Sequence, residues 1–241
     1  MYIRYPGIKP GIWGRGCEIE INQEGWNLEE NITGYLNGLM KRYPVLEGQK
    51  ENIFHAYEMM AETFACHGKL LVAGNGGSAA GAEHIVGELM KGFVKQRKLS
   101  SQELLKLEQA DAQNGRYIGE LLQGALPAIA VVDHVALSTA YLNDVDPMLG
   151  FAQQVYGYGQ AGDTLLAIST SGNSKNILYA CTAAKAKGMK VIGLTGRDGG
   201  QLKDMADITI IAAEQETFRI QELHLPIYHV LCLMLEERFF A

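Results

Sequence analysis

Five short apolar runs punctuate this chain: LLVAG (70–74), AIAVV (128–132), TLLAIS (164–169), VIGLT (191–195) and ITIIA (208–212). Each is bounded by Gly, Asp or Pro. Their hydrophobicity is continuous rather than alternating, which suits strands covered on both faces, as in a parallel sheet. Helical stretches follow the first four runs, the clearest over 174–186 and closed by Gly188. A long apolar helix, 217–237, follows the fifth. This alternation predicts a doubly wound α/β fold: a five-stranded parallel sheet flanked by helices. Binding sites in such folds lie at the carboxyl ends of the strands.

The 241 residues suffice for one large domain. Residues 1–26 carry Gly, Pro and aromatics without periodicity and read as an irregular arm; 27–241 read as a single domain. Two helices, 28–39 and 46–66, precede the first strand. The stretch 94–126 breaks the β/α rhythm as a helical insert. It holds a capping box, Ser100-x-x-Glu103, and two apolar stripes, Leu104/Leu105/Leu107 and Ile118/Leu121/Leu122. Isolated helices of this length are marginal in water, so the stripes must pack on something. Two readings stand: a hairpin laid on its own subunit, or a flap over the site.

No run of about 18 apolar residues exists, so no membrane span is expected. The first residues lack the apolar core of a signal peptide, and a cytoplasmic location is the expectation. The net charge of −6 argues against a dedicated nucleic-acid partner. Cys17, Cys66, Cys181 and Cys232 share no CxxC spacing, which removes a thiolate metal cluster.

Four segments carry chemistry. Gly74-Asn75-Gly76-Gly77-Ser78 joins a strand to a helix; its glycines let backbone approach a ligand, and its helix N-terminus favours anions or hydroxyls. The same pattern also serves a plain tight turn. Ser169-Thr170-Ser171-Gly172-Asn173-Ser174 again links strand to helix, with four hydroxyls in six residues. A phosphate accepts several hydrogen bonds at once, and capping explains one hydroxyl rather than four. His84 and Glu88, four apart on one helical face, can chelate a metal, act as acid and base, or form an ordinary surface pair. In the last helix Gln221 and His229 are eight apart, about two turns, and are expected on a shared face. His224 lies off that face and is expected to be structural. Pro226 removes a helical hydrogen bond and is expected to kink the helix.

Together NGGSAAGAEHIVGEL, AISTSGNSKNIL, KGMKVIGLTGRDGG and RIQELHLPIYHVL resemble the phosphoheptose isomerases of the SIS (sugar isomerase) superfamily, from about residue 28 to 241 without the insert. The resemblance implies the SIS fold, which is flavodoxin-like. It implies an aldose–ketose isomerase that converts sedoheptulose 7-phosphate to D-glycero-D-manno-heptose 7-phosphate through an enediol. Glu88 would be the carbon base and His229 its partner. Ser169, Thr170, Ser171 and Ser174 would cradle the phosphate. Asn75, Gly76, Gly77, Ser78, Asp144 and Gln221 would contact the sugar. His84, Glu88, Gln221 and His229 match positions that bind Zn²⁺ in some members, and the family is typically a homotetramer. A non-catalytic sugar-phosphate-binding or partner-recruiting protein is the alternative. It would need the serine loop but not both Glu88 and His229.

Overall fold

A computed structural model describes the backbone from Gly25 and side chains from Leu28 to Ala241; of the expected arm, 1–26, residues 1–24 lie outside the described residues, and Gly25 and Trp26 already belong to the first helix. The five strands form where the apolar runs place them: β1 Leu70–Ala73, β2 Ala128–Ala130, β3 Thr164–Ser169, β4 Lys190–Gly196 and β5 Ile208–Ala212. They make one parallel sheet in the order β2-β1-β3-β4-β5. The continuous runs conceal an alternation. Leu70, Val72, Leu166, Ile168, Ile192 and Leu194 point to one apolar layer, while Leu71, Ala73, Leu165, Ala167 and Val191 point to another. Both faces are buried, so neither alternate set is polar.

The first layer holds α1 (Gly25–Arg42), α2 (Lys50–Ala65), α3 (Gly77–Met90) and α10 (Thr217–Phe240). The second holds α7 (Gly150–Tyr158), α8 (Lys175–Ala186) and α9 (Gly200–Met205). A further helix, α6 (Val135–Asp144), follows β2. The second helix starts later than its apolar pattern, because Pro44 opens a 3-10 turn over Pro44–Gln49 first. α10 runs unbroken through Pro226.

The insert is a hairpin of α4 (Ser101–Ala110) and α5 (Gly115–Leu121). The capping box forms: Glu103 N donates to Ser100 Oγ (3.3 Å) and Ser100 N to Glu103 Oε2 (2.9 Å). The stripes divide. Leu104 and Leu107 close over Gly119, where a Cβ would meet Leu104 Cδ1 at 2.4 Å. Leu105, Tyr117, Leu121 and Leu122 stay exposed. At the root, Gly124 N donates to the Arg97 carbonyl (2.7 Å) and Gly92 N to Gln123 Oε1 (2.8 Å).

Three polar ties hold α10. His224 is buried, and its Nε2 donates to the Thr195 carbonyl of β4 at 3.0 Å. Glu237 accepts from Lys95 (2.9 Å) and from Asn31 on α1 (2.9 Å). Glu236 pairs with a fully buried Arg97.

Burial pushes His224 down from its ordinary 6.5 to about 4, against the opposing pull of the Thr195 carbonyl. The unfolded chain therefore takes up this proton first. Stability falls as pH drops from about 6.5 to 4 and levels below, by an amount on the order of 3 kcal/mol. Urea titrations of wild type and His224→Gln across pH 7 to 4 check this: the variant is expected to lose that part of the slope.

Candidate active site

The strand order reverses between β1 and β3, so the chain leaves these neighbours in opposite directions. Two loops meet above the gap. After β1, the backbone turns at Gly76 (φ 54°) into α3, and Ser78 is buried with its N–H on the Asn75 carbonyl (2.9 Å). Gly77 is needed for close approach: a Cβ there would stand 2.8 Å from Gln221 Nε2. Gln221 of α10 thus lies against the start of α3.

After β3, Gly172 adopts φ 66° and packs on Gly199, leaving no room for a side chain. The adjoining 196–200 turn supports the loop: Gly196 N donates to the Thr170 carbonyl (3.2 Å) and Leu202 N to the Gly172 carbonyl (2.9 Å). Ser169 Oγ donates to Ser174 Oγ at 3.0 Å, and Ser171 Oγ accepts from Asn173 N at 3.2 Å. Ser174 is the N-cap residue of α8, yet its side chain makes no capping bond. The first-turn N–H groups and the loop hydroxyls therefore present a donor-rich rim suited to an anion. Asn75 and Asn176 exchange amide hydrogen bonds (2.9 and 2.7 Å), which lock the two loops together.

α3 and α10 form the wall beside these loops. His84 Nδ1 lies 3.0 Å from Tyr228 Oη, and His84 Nε2 lies 3.1 Å from Glu88 Oε1. Burial, with the nearby Cys232 and Glu88, raises the Tyr228 phenol, so it keeps its proton and can donate to Nδ1, while the Glu88 carboxylate can only accept. Nε2–H is then the donor to Glu88. The Glu88 side chain is 14% exposed, which makes the expected surface pair a half-sequestered one. Three buried side-chain polar atoms lack a hydrogen-bond partner among the described residues, and two are here: Glu88 Oε2 and His229 Nε2. The His229 ring stands 5.0 Å from His84 and 5.4 Å from Phe93, centre to centre. Burial first, then the neighbouring His84 imidazole, lowers its pKa, so it is neutral near pH 7. A cavity of about 190 Å³ opens between loops and wall, lined by Ser78, His84, Ile168, Gln221, His224 and Tyr228 among others.

One expectation changes. Gln221 and His229 do not share a face: at about 100° per residue, eight positions leave them about 80° apart, whereas Tyr228 stands about 20° from Gln221. It is Tyr228 that lines the cavity with Gln221, while His229 turns toward Phe93. Asp144, expected to contact the sugar, is the last residue of α6, with Val145 as the C-cap ahead of Pro147. It is exposed, accepts from Asn143 Nδ2 (2.7 Å) and is not among the cavity residues.

For a metal, the donor types are suitable: two imidazoles, a carboxylate and an amide, with Glu88 Oε2 and His229 Nε2 unengaged. Among the described residues no three His, Cys, Asp or Glu side chains are gathered in metal-holding geometry. His84 would have to turn from Glu88 to join such a set. Sequence reasoning missed Tyr228, Phe93 and Asn176. Tyr228 was within reach of the helical period, seven positions from Gln221; the other two have no local signal.

The SIS domain family model matches residues 35–123 and 120–196. The phosphoheptose isomerase of Nitratiruptor sp. is 39% identical over 195 residues, covering 81% of this chain and 90% of that protein. That of Coxiella burnetii is 36% identical over 216 residues, covering 88% and 92%. Among solved structures, a phosphoheptose isomerase from Francisella tularensis aligns with TM-score 0.66 and 32% identity over 86% of this chain and 97% of its own. One from Neisseria gonorrhoeae gives 0.65 and 30% over 87% and 98%. Matches of this extent make this chain a member of the SIS-domain phosphoheptose isomerase family.

Proposed function

We propose that this chain is a sugar phosphate isomerase that interconverts sedoheptulose 7-phosphate and D-glycero-D-manno-heptose 7-phosphate. The observation that carries this reading is the pair of unengaged atoms on α3 and α10, Glu88 Oε2 and His229 Nε2, both beside His84 of the cavity lining. A binding module has no use for them, and an enediol mechanism needs both kinds of group. The loop of Ser169, Thr170, Ser171 and Ser174 holds the phosphate, with Asn75, Gly76, Gly77, Ser78 and Gln221 along the sugar.

Glu88 Oε2 takes the proton from C1 of the ketose and returns it to C2. His84 holds the other carboxylate oxygen, which fixes the plane in which Oε2 is presented. Electrons from the broken C–H bond form the C1–C2 double bond of the enediol, and the C2 oxygen gains a proton. Collapse of the enediol delivers the aldehyde at C1. His229, neutral and unengaged at Nε2, moves the proton between the two oxygens. His84, Glu88, Gln221 and His229 are the residues that would hold Zn²⁺, which when bound supplies polarisation of the sugar carbonyl.

The assembly is a homotetramer in this reading. Val135, Leu142 and Val145, on and beside α6, are exposed apolar side chains that a partner subunit would cover, and Asp144 lies among them. No described helix is long and apolar enough to cross a membrane. The buried thiols Cys181 and Cys232, both unpaired, support a cytoplasmic setting.

Glu88→Gln is expected to cut turnover by at least about 10²-fold with the thermal midpoint nearly unchanged. NMR of ketose–aldose exchange checks it, and retained turnover would remove Glu88 as the base. Ser171→Ala and Ser174→Ala are expected to raise KM for the phosphorylated sugar, each lost bond to a charged group being worth about 1.5–3 kcal/mol. Inorganic phosphate is expected to compete with substrate, and its failure to do so would overturn the cradle. Metal content of protein purified without chelator, and activity after chelation, test the ion. Light scattering tests the tetramer.

A further inference from the structure

Arg97 is 1% exposed, at the root of the insert, where its pairing with Glu236 already ties α10. Its guanidinium makes three hydrogen bonds. Nη2 donates to the Glu88 carbonyl (2.9 Å), Nη1 to the Leu89 carbonyl (2.6 Å) and Nε to Glu236 Oε1 (2.8 Å). The first two acceptors belong to the last turn of α3, where helix carbonyls have no partner of their own helix. Gly92, whose N–H would close the turn on Glu88, donates to Gln123 instead. The third acceptor lies on α10, seven residues beyond His229 and so about two turns along nearly the same face. Glu236 is held in turn by the N–H groups of Phe93, Val94 and Lys95 (2.8, 2.9 and 3.1 Å), and Phe93 packs on His229. The Phe240 ring covers the guanidinium at 4.6 Å.

We infer that Arg97 is a positioning residue for the isomerisation, clamping the α3 turn that carries Glu88 to the α10 segment that carries His229 and so setting their separation. The inference rests on the isomerase reading. Stapling the insert alone would not require it, since Gly124, Gly92 and the Lys95–Glu237 pair already close that root. A planar fork is the group that can reach two successive carbonyls and a carboxylate together; an ammonium cannot.

The test compares Arg97→Lys and Arg97→Met with wild type and with Arg116→Met, which breaks only an exposed pair with Glu120 on the insert. kcat, KM and the isotope effect for ketose deuterated at C1 are measured, with circular dichroism and thermal melts as the check on folding. Misplaced acid/base groups are expected to lower kcat on the order of 10²-fold in Arg97→Met with KM little changed, and to raise the isotope effect. Arg97→Lys, which keeps Glu236 paired, is expected to fold and to lose about 10-fold in kcat, and it carries the test where Arg97→Met does not fold. Arg116→Met is expected to match wild type. Folded Arg97 variants with unchanged kcat, or with a change in KM alone, would overturn the positioning role while wild-type turnover keeps the isomerase reading intact. A wild-type protein inert toward sedoheptulose 7-phosphate would overturn both.

Discussion

The parallel pairing of β1 with β3, with β2 set outside β1, governs where everything else can stand. The two central strands send their chains to opposite faces, α3 into one apolar layer and α8 into the other. Their first turns part above the sheet and leave a gap whose rim is backbone N–H. The serine loop inherits that rim at α8, and the glycine loop inherits it at α3. α10 then returns along the α3 face, so the titratable groups fall on one side of the gap. An anion-holding rim and an acid/base wall thus arise from one topological feature. A substrate with phosphate at one end and a carbonyl at the other suits this division.

The strands were legible because a sheet buried on both faces asks for apolar side chains at every position, whatever their direction. β3 is the extreme case, with all six residues buried. The serine loop was legible because capping explains one of its four hydroxyls, whereas the glycine loop read equally well as a plain tight turn. Relationships between helices were not. Tyr228 reads as one more apolar residue in a helix rich in them, until His84 supplies its partner 144 positions away. Arg97 reads as one more charge in the insert, and only Glu236 and the end of α3 make it a buried clamp. The Gln221–His229 alignment failed on arithmetic, since two turns are nearer seven residues than eight.

The interior polar groups follow a consistent pattern. A buried arginine–carboxylate pair offers little stability over apolar residues of similar size, because both charges lose their water. Burial alone would raise the Glu236 carboxyl, yet the backbone N–H groups of Phe93 and Val94, together with Arg97, hold it below its usual range. Such a pair is well suited to fixing geometry, because its hydrogen bonds are satisfied in one arrangement of the helices and broken in others. Two of the three unengaged buried atoms stand a turn or two away on the same helices. The satisfied network and the unsatisfied atoms are therefore neighbours, one constraining the other.

The direction of the hydrogen bonds along Tyr228, His84 and Glu88 completes the argument. A carboxylate oxygen can only accept, so the proton of a neutral His84 imidazole sits on Nε2, and Nδ1 accepts from the Tyr228 hydroxyl. Nε2–H then points to Glu88 Oε1, so that oxygen is engaged before any substrate arrives. Oε2 is buried and unengaged, and a proton taken from carbon has one place to go. Reversing the imidazole tautomer would set two acceptors, Nε2 and the carboxylate, against each other. The chain of three residues thus does for the carboxylate what the serine loop does for the phosphate: it fixes the orientation of the group before the reaction, so that binding need not do so.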